Sequence, residues 1–376
     1  MKIALTLQRF GKQCGLLLAP LFLFPFGAHA TSPASHAAFI DSLFAAYDSA
    51  GVPGASVVVI RDGAVVFQKG YGYGNLESRT SIHSTTNFRL ASVTKQFTAT
   101  CIMMLKEAGK LSYTDPLTAF FPAFPAYGRS ITVRHLLTHT SGLPDYESLI
   151  PDSQTVQVRD AGVLSLLMAA DSTYFAPGTK YSYSNTGYAL LALIVEKVSG
   201  ESFAAFLRRH IFSPLGMNST VAYEAGISDV PERAYGYKRT DSGFVLADQS
   251  VSSAVLGDGG IYSNADDMVK WDLSLSTDAI VSRASRDESF ADAALNDGTP
   301  IDYGYGWHKE TFLGIRHPYH NGSTRGFRNT IIRFPSQRLS VIILTNRDEG
   351  DPIEIAKKIA TAFLNDLQPL NGSGGK

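Results

Sequence analysis

The strand signals of this 376-residue chain lie at its two ends, and that separation constrains its topology more than any single motif. Near the start, Ala55 to Ile60 and Ala64 to Lys69 are split by the turn residues Arg61-Asp62-Gly63 and read as a β-hairpin. Near the other end, Ile315 to His320, Gly326 to Phe334 and Leu339 to Leu344 read as three strands, with Pro335-Ser336-Gln337-Arg338 turning between the last two. Helices are expected from about Ser35 to Ser49 and from about Pro352 to Leu367. Between the blocks run helical patterns and Pro/Gly-rich loops, including Thr132 to Thr138, Val163 to Ala170, Gly187 to Ser199 and Phe203 to Phe212. The economical arrangement pairs both strand-rich ends in one antiparallel sheet flanked by the terminal helices and inserts a mainly helical lobe. The expected fold class is α/β (α+β), with an α/β lobe from residues 31–115 and 300–367 and a mainly helical lobe at 116–299. A groove between lobes is a natural substrate site. No internal repeat is visible.

The N-terminus carries Lys2, Arg9 and Lys12, an apolar stretch from Gly15 to Gly27, then Ala28-His29-Ala30, the small-x-small pattern of a secretory leader. Cleavage after Ala30 is expected, with a periplasmic or secreted product. The apolar stretch is short and broken by Pro20 and Pro25, which argues against a retained membrane anchor. Residues 1–30 hold three basic and no acidic residues, so their removal takes the formal charge from −1 to −4. That balance, without a basic patch, argues against a nucleic-acid partner. Of two cysteines only Cys101 remains after cleavage, so no intramolecular disulfide can form. It lies on the apolar face of a helical pattern and reads as a buried structural thiol. A hydrophobic content of 44% indicates a globular chain, with only residues 368–376 reading as a flexible tail.

Ser92-Val93-Thr94-Lys95 puts a hydroxyl and an amine three residues apart at the start of a helical pattern, Phe97, Cys101, Met104, Leu105 and Ala108. Residues i and i+3 share a helix face. A serine at a helix N-terminus also lies beside outward-pointing backbone N–H groups, which would stabilise an oxyanion. The pattern alone is weak, since about one or two S-x-x-K strings arise by chance in a chain of this length. Ser373-Gly374-Gly375-Lys376 is a second match, in a tail that cannot hold a helix.

Tyr183-Ser184-Asn185 supplies a phenol and an amide on a turn-rich loop leading into a helix. Tyr-x-Asn also occurs at Tyr73, Tyr262 and Tyr319, and the loop context favours Tyr183. His320-Asn321-Gly322-Ser323 contains the only H-x-G, at a strand end where glycine lets a substrate backbone approach and a backbone N–H could serve as a second oxyanion donor. His135 and His139 are spaced i, i+4, but no nearby third ligand accompanies them, so no metal is expected. No G-x-S-x-G, H-E-x-x-H or G-x-G-x-x-G occurs, which argues against α/β-hydrolase, zinc peptidase and dinucleotide chemistry.

In the order Ser-x-x-Lys, Tyr-x-Asn, His-x-Gly, the chain resembles the serine beta-lactamase and penicillin-binding protein superfamily. The likeness is to the class C-like branch of D-aminopeptidases, D-Ala-D-Ala carboxypeptidases and family VIII esterases. The segments Ile131 to Leu143, Gly259 to Ser263 and Tyr305-Gly306-Trp307 are similar to the same branch, and the resemblance spans roughly Phe39 to Leu364. It implies a beta-lactamase/transpeptidase-like fold and a serine hydrolase without cofactor. Ser92 would be the acylated nucleophile, Lys95 its activator and Tyr183 the general base or acid. Asn185, His320 and Gly322 would bind substrate, and the backbone N–H groups of Ser92 and Ser323 would form the oxyanion hole. Where true beta-lactamases of this type carry Lys-Thr-Gly, this chain has His320-Asn321-Gly322, so a fixed cation for a substrate carboxylate is missing. Esters, amides or D-amino-acid peptides are therefore the expected substrates, with cell-wall fragments among the candidates. The alternatives are a beta-lactamase or D-Ala-D-Ala carboxypeptidase, or a non-catalytic binding protein of this fold.

Overall fold

The computed structural model describes residues 33–366; the leader expected at 1–30 and the tail at 368–376 lie outside the described residues. Helix α1 (Pro33–Leu43) passes into a 3-10 turn at Ala45–Tyr47, and the hairpin follows as β1 (Ala55–Arg61) and β2 (Ala64–Tyr71). After the two-residue strand β3 (Phe88–Arg89), a 3-10 turn at Ala91–Thr94 opens into α2 (Lys95–Glu107). The middle of the chain contributes α3 (Val133–Leu137), α4 (Asp160–Met168), α5 (Asn185–Ser199), β4 (Val221–Ala222), the single turn α6 (Leu256–Gly259), β5 (Ile261–Ser263) and α7 (Ala265–Ser274), among shorter pieces. Then come β6 (His308–Phe312), β7 (Ile315–Thr324), β8 (Phe327–Phe334), β9 (Leu339–Thr345) and α8 (Pro352–Asn365).

The two ends of the chain do meet in one antiparallel sheet, of order β6-β7-β8-β9-β1-β2. The junction is the β1–β9 ladder, in which Val58 lies opposite Ile342. Both faces of this centre are covered, which explains why its strands read as nearly continuous apolar runs. Val57, Val59, Val341 and Ile343 pack with Ile40 of α1, Phe44 just after it, and Ile359 and Phe363 of α8. Their neighbours Val58, Ile60, Ile342 and Leu344 point to the other face, into the larger core with Phe97 and Trp271. Edge strand β2 instead leaves Val65 and Val66 exposed. Strand β6 was not expected, and β7 runs four residues further than the sequence suggested, through Gly322 to Thr324.

Helix α2 occupies the middle of the larger core, with ten of its thirteen residues buried, and packs against α5 and α6. The segment before it is pinned from two sides. Strand β3 pairs with β5, Arg89 opposite Tyr262, and the Asn329 side-chain amide on β8 donates to the Arg89 carbonyl at 2.8 Å. Strand β7 comes close enough that a β-carbon at Gly322 would lie 2.0 Å from the Leu90 carbonyl oxygen. Gly322 was expected to make room for substrate. The structure corrects this, because the space its absent side chain leaves is taken by the chain leading to Ser92.

Sheet and helices are also tied by Arg333 of β8, whose Nε lies 2.6 Å from Oδ1 of Asp272 on α7, with both side chains buried. Removing one partner of a buried pair leaves an uncompensated charge. Asp272→Ala is therefore expected to lower unfolding free energy by about 3–5 kcal/mol, measured by urea denaturation. Gly322→Ala is expected to lower stability by about 1–3 kcal/mol through the clash with Leu90, read as a fall in the midpoint of a thermal scan.

Candidate functional site

Ser92 follows Ala91, whose φ of +50° is left-handed for a residue with a β-carbon. Such a conformation costs on the order of 1 kcal/mol and is held by its surroundings, including the Leu90 N–H donating to the Ile261 carbonyl at 2.8 Å. In the 3-10 turn Ala91, Val93 and Thr94 are buried, while Ser92 is half-buried and lines a pocket.

Lys95, the first residue of α2, is fully buried. Its Nζ donates to Ser92 Oγ at 3.0 Å, to Asn185 Oδ1 at 2.8 Å and to the Asp258 carbonyl oxygen at 3.0 Å. All three acceptors are neutral oxygens, and three is the full donor count of an ammonium. Burial pushes the Lys95 pKa down to about 8, while the nearby Asp258 carboxylate pulls it upward. The same burial lifts the Asp258 carboxyl above the usual carboxylate range, against the effect of Lys95 and of the Tyr146 hydroxyl, which donates to Oδ2 at 3.0 Å. The turn α6 that carries Asp258 is itself fixed by Asp160, whose carboxylate accepts the N–H groups of Leu256 at 2.8 Å and Gly257 at 3.0 Å.

Tyr183 lies just before α5 and Asn185 begins it, so one loop-to-helix junction delivers both side chains. Lys95 Nζ sits 4.9 Å from the centre of the Tyr183 ring. Burial raises the phenol pKa above its ordinary range, with a hydrogen-bonding interaction with Ser92 pulling the other way. Of the four Tyr-x-Asn tyrosines, Tyr183 is the one beside Lys95, whereas Tyr262 packs over the Arg233 guanidinium.

On β7 the alternation of a strand turns His320 and Gly322 inward and Ser323 outward. His320 is 1% exposed. Its Nδ1 lies 2.8 Å from the Asn321 carbonyl oxygen and its Nε2 lies 3.1 Å from the Tyr303 hydroxyl. Burial, reinforced by His308 and Lys95, holds the imidazole well below the ordinary histidine range, so it is neutral near pH 7. Direct substrate contact, expected from the sequence, does not fit this placement: both ring nitrogens are taken by protein groups beneath the surface. Ser323 is exposed and shares the pocket with Ser92. The β6 ladder ends at the His308–Tyr319 pair, so the β7 edge beyond it has no β6 partner where it passes Ser92.

The pocket brings together Ser92, Asn185 and Ser323, with exposed Glu147 and buried Asp258 also lining it. Its basic lining residue, Arg89, is 4% exposed and donates from Nε and Nη2 to the Gly259 and Ser253 carbonyls at 3.2 and 2.8 Å. Sequence reasoning missed Asp258, although Gly257-Asp258-Gly259-Gly260 places an acid within a glycine run. It also missed Glu147, which lines the pocket, and the contact of His139 with Tyr183. The spaced pair His135 and His139 serves separate local structures: His135 Nδ1 accepts the Thr132 N–H in a capping box at the start of α3, whereas His139 faces Tyr183.

The chain is similar to known proteins in sequence and fold. The beta-lactamase family matches residues 40–365. Penicillin-binding protein 4* of Bacillus subtilis is 35% identical over 333 residues, covering 84% of this chain and 73% of its own. A D-aminopeptidase of Gluconobacter oxydans is 30% identical over 342 residues, covering 84% of this chain; this chain spans only 60% of that enzyme's length. Among solved structures, an octameric penicillin-binding protein homologue from Pyrococcus abyssi superposes with a TM-score of 0.74 at 30% identity, over 88% of this chain and 77% of that one. With its fold, its Ser92–Lys95 contact and these relatives in agreement, the chain belongs to the beta-lactamase family of serine hydrolases.

Proposed function

We propose that the protein is an exported hydrolase that forms an acyl-enzyme on Ser92 and acts on amides and esters lacking a carboxylate beside the scissile bond. Its preferred class is D-amino-acid amides and peptides with a free N-terminal D-residue. The observation that carries this reading is His320: the strand position expected to hold a carboxylate-binding cation carries a buried, neutral ring. The exposed acid Glu147 lining the Ser92 pocket suits a substrate ammonium instead. The similarity to D-aminopeptidases supports the same direction.

The hydrogen bonds give each group a task. As a neutral amine Lys95 keeps two N–H donors for Asn185 Oδ1 and the Asp258 carbonyl, which directs its lone pair at the Ser92 hydroxyl. Lys95 takes the serine proton as Oγ attacks the substrate carbonyl. The backbone N–H groups of Ser92 and Ser323 stabilise the oxyanion. Since Asn185 Oδ1 is engaged by Lys95, its amide nitrogen is the group left to hold a substrate carbonyl. Tyr183, favoured in its protonated form by burial, delivers a proton to the leaving group. Water then attacks the acyl-enzyme by the reverse sequence.

A short-chain p-nitrophenyl ester, D-alaninamide and benzylpenicillin, tested on residues 31–376 beside Ser92→Ala, check the proposal. The first two are expected to turn over with at least a roughly 1000-fold loss in the variant, and benzylpenicillin to be a poor substrate. Efficient penicillin hydrolysis would overturn the substrate class; binding without turnover would return the non-catalytic alternative. For pH, kcat/KM is expected to rise as Lys95 loses its proton, through a pH near 8. Asp258→Asn removes an anion that favours the charged lysine, so the rise should move to lower pH; a move upward contradicts the lysine-base assignment.

A further inference from the structure

We propose that His139 is a positioning residue that holds the Tyr183 phenol in line with Ser92 and so governs proton delivery to the leaving group. This rests on the donor role given to Tyr183 above. His139 grips the chain on both sides of that tyrosine. Its carbonyl accepts the Ser182 N–H at 2.9 Å, and its Nδ1 accepts the Ser184 N–H at 3.1 Å. Its ring also lies against the tyrosine ring, with centroids 4.3 Å apart and planes inclined by 32°. Ser184 is the N-cap residue of α5, and the Asn185 side chain that follows it has its own anchor in the Lys95 Nζ at 2.8 Å.

The hydrogen bonds assign the tautomer. Nδ1 accepts and is therefore unprotonated, which places the proton on Nε2. That atom is buried without a hydrogen-bond partner, and the ring meets Tyr303 edge-on at 4.5 Å. An apolar side chain would fill such a place without leaving a polar atom unmatched, so packing does not account for an imidazole here; the acceptor at Nδ1 does. His139 also adopts a left-handed φ of 57°, a strain maintained by the strap that follows it, where Gly178 N–H donates to the Thr140 carbonyl and Tyr174 N–H to the Gly142 carbonyl, each at 2.8 Å. Burial, with Lys95 and His308 adding to it, keeps the imidazole uncharged, which preserves the acceptor; a proton on Nδ1 would set two donors against each other.

Leaving-group dependence tests this, because an amide must be protonated to depart whereas p-nitrophenolate need not. His139→Ala is expected to lower kcat on D-alaninamide on the order of 100-fold and on the p-nitrophenyl ester by less than about fivefold. His139→Asn, whose Oδ1 can replace Nδ1 and which tolerates a left-handed φ, should return amide turnover to within about tenfold of the parent. Equal losses on both substrates, or undiminished amide turnover in His139→Ala, overturn the proposal. Should His139→Ala fail to fold, nitrogen NMR of the intact protein decides: a proton on Nε2 supports the assignment, and a proton on Nδ1 overturns it. Ser92→Ala run alongside separates the outcomes, since turnover that survives it refutes the Ser92 mechanism and not the role of His139 alone.

Discussion

The rest of the site depends on a lysine kept out of water. A buried ammonium carries a desolvation cost of several kcal/mol, and Lys95 meets it with three neutral oxygens. Those oxygens come from the turn at Ser92, the start of α5 and the turn α6, which are distant in sequence. The fold is thus under a strict condition: unless three separate pieces of chain converge on one nitrogen, the lysine is left unmatched. Asp160 extends the condition by a further step, since it holds the backbone of α6 in place.

Charge near Lys95 is limited by the same burial. His139, His308 and His320 all lie close to it, and all three are held below the ordinary histidine range, His308 to about 4. Burial is the largest cause for each, and Lys95 disfavours a second cation in each. The opposing influence is Asp258, which favours the charged lysine. A carboxylate on one side and uncharged imidazoles on the other leave the amine able to change protonation state near neutral pH.

Much of this was legible in the sequence, and the misses have identifiable physical sources. The strands at the two ends were readable because β1 and β9, at the centre of the sheet, are covered on both faces and therefore mostly apolar. Strand β6 was not, because its residues His308-Lys309-Glu310-Thr311-Phe312 are mostly polar and it lies at a sheet edge. Ser92 and Lys95 could be picked out as a pair because a hydroxyl and an amine one helical turn apart form a local pattern, and the structure puts them in contact at 3.0 Å. His320 was expected at the surface of the site and lies beneath it: motif spacing gives order along the chain, whereas depth follows from which face of β7 a residue occupies. Asp258 and His139 escaped because their contacts, to Lys95 and to the Tyr183 loop, are made across long sequence separations.

The pairing of β1 with β9 also dictates an order of events during synthesis. Residues near 58 and 342 must come together across most of the chain, a loop closure costing on the order of 5 kcal/mol in entropy. Strand β7, which presses on the Leu90 carbonyl, and β8, which binds the Arg89 carbonyl, belong to the same late-emerging third. A nascent chain can therefore contain Ser92 and Lys95, and even a formed α2, before the segment leading to Ser92 is pinned from the sheet side. The turn that carries Ser92 stays unsupported on that side until the last strands arrive, so the site is completed by the final stretch of chain to emerge.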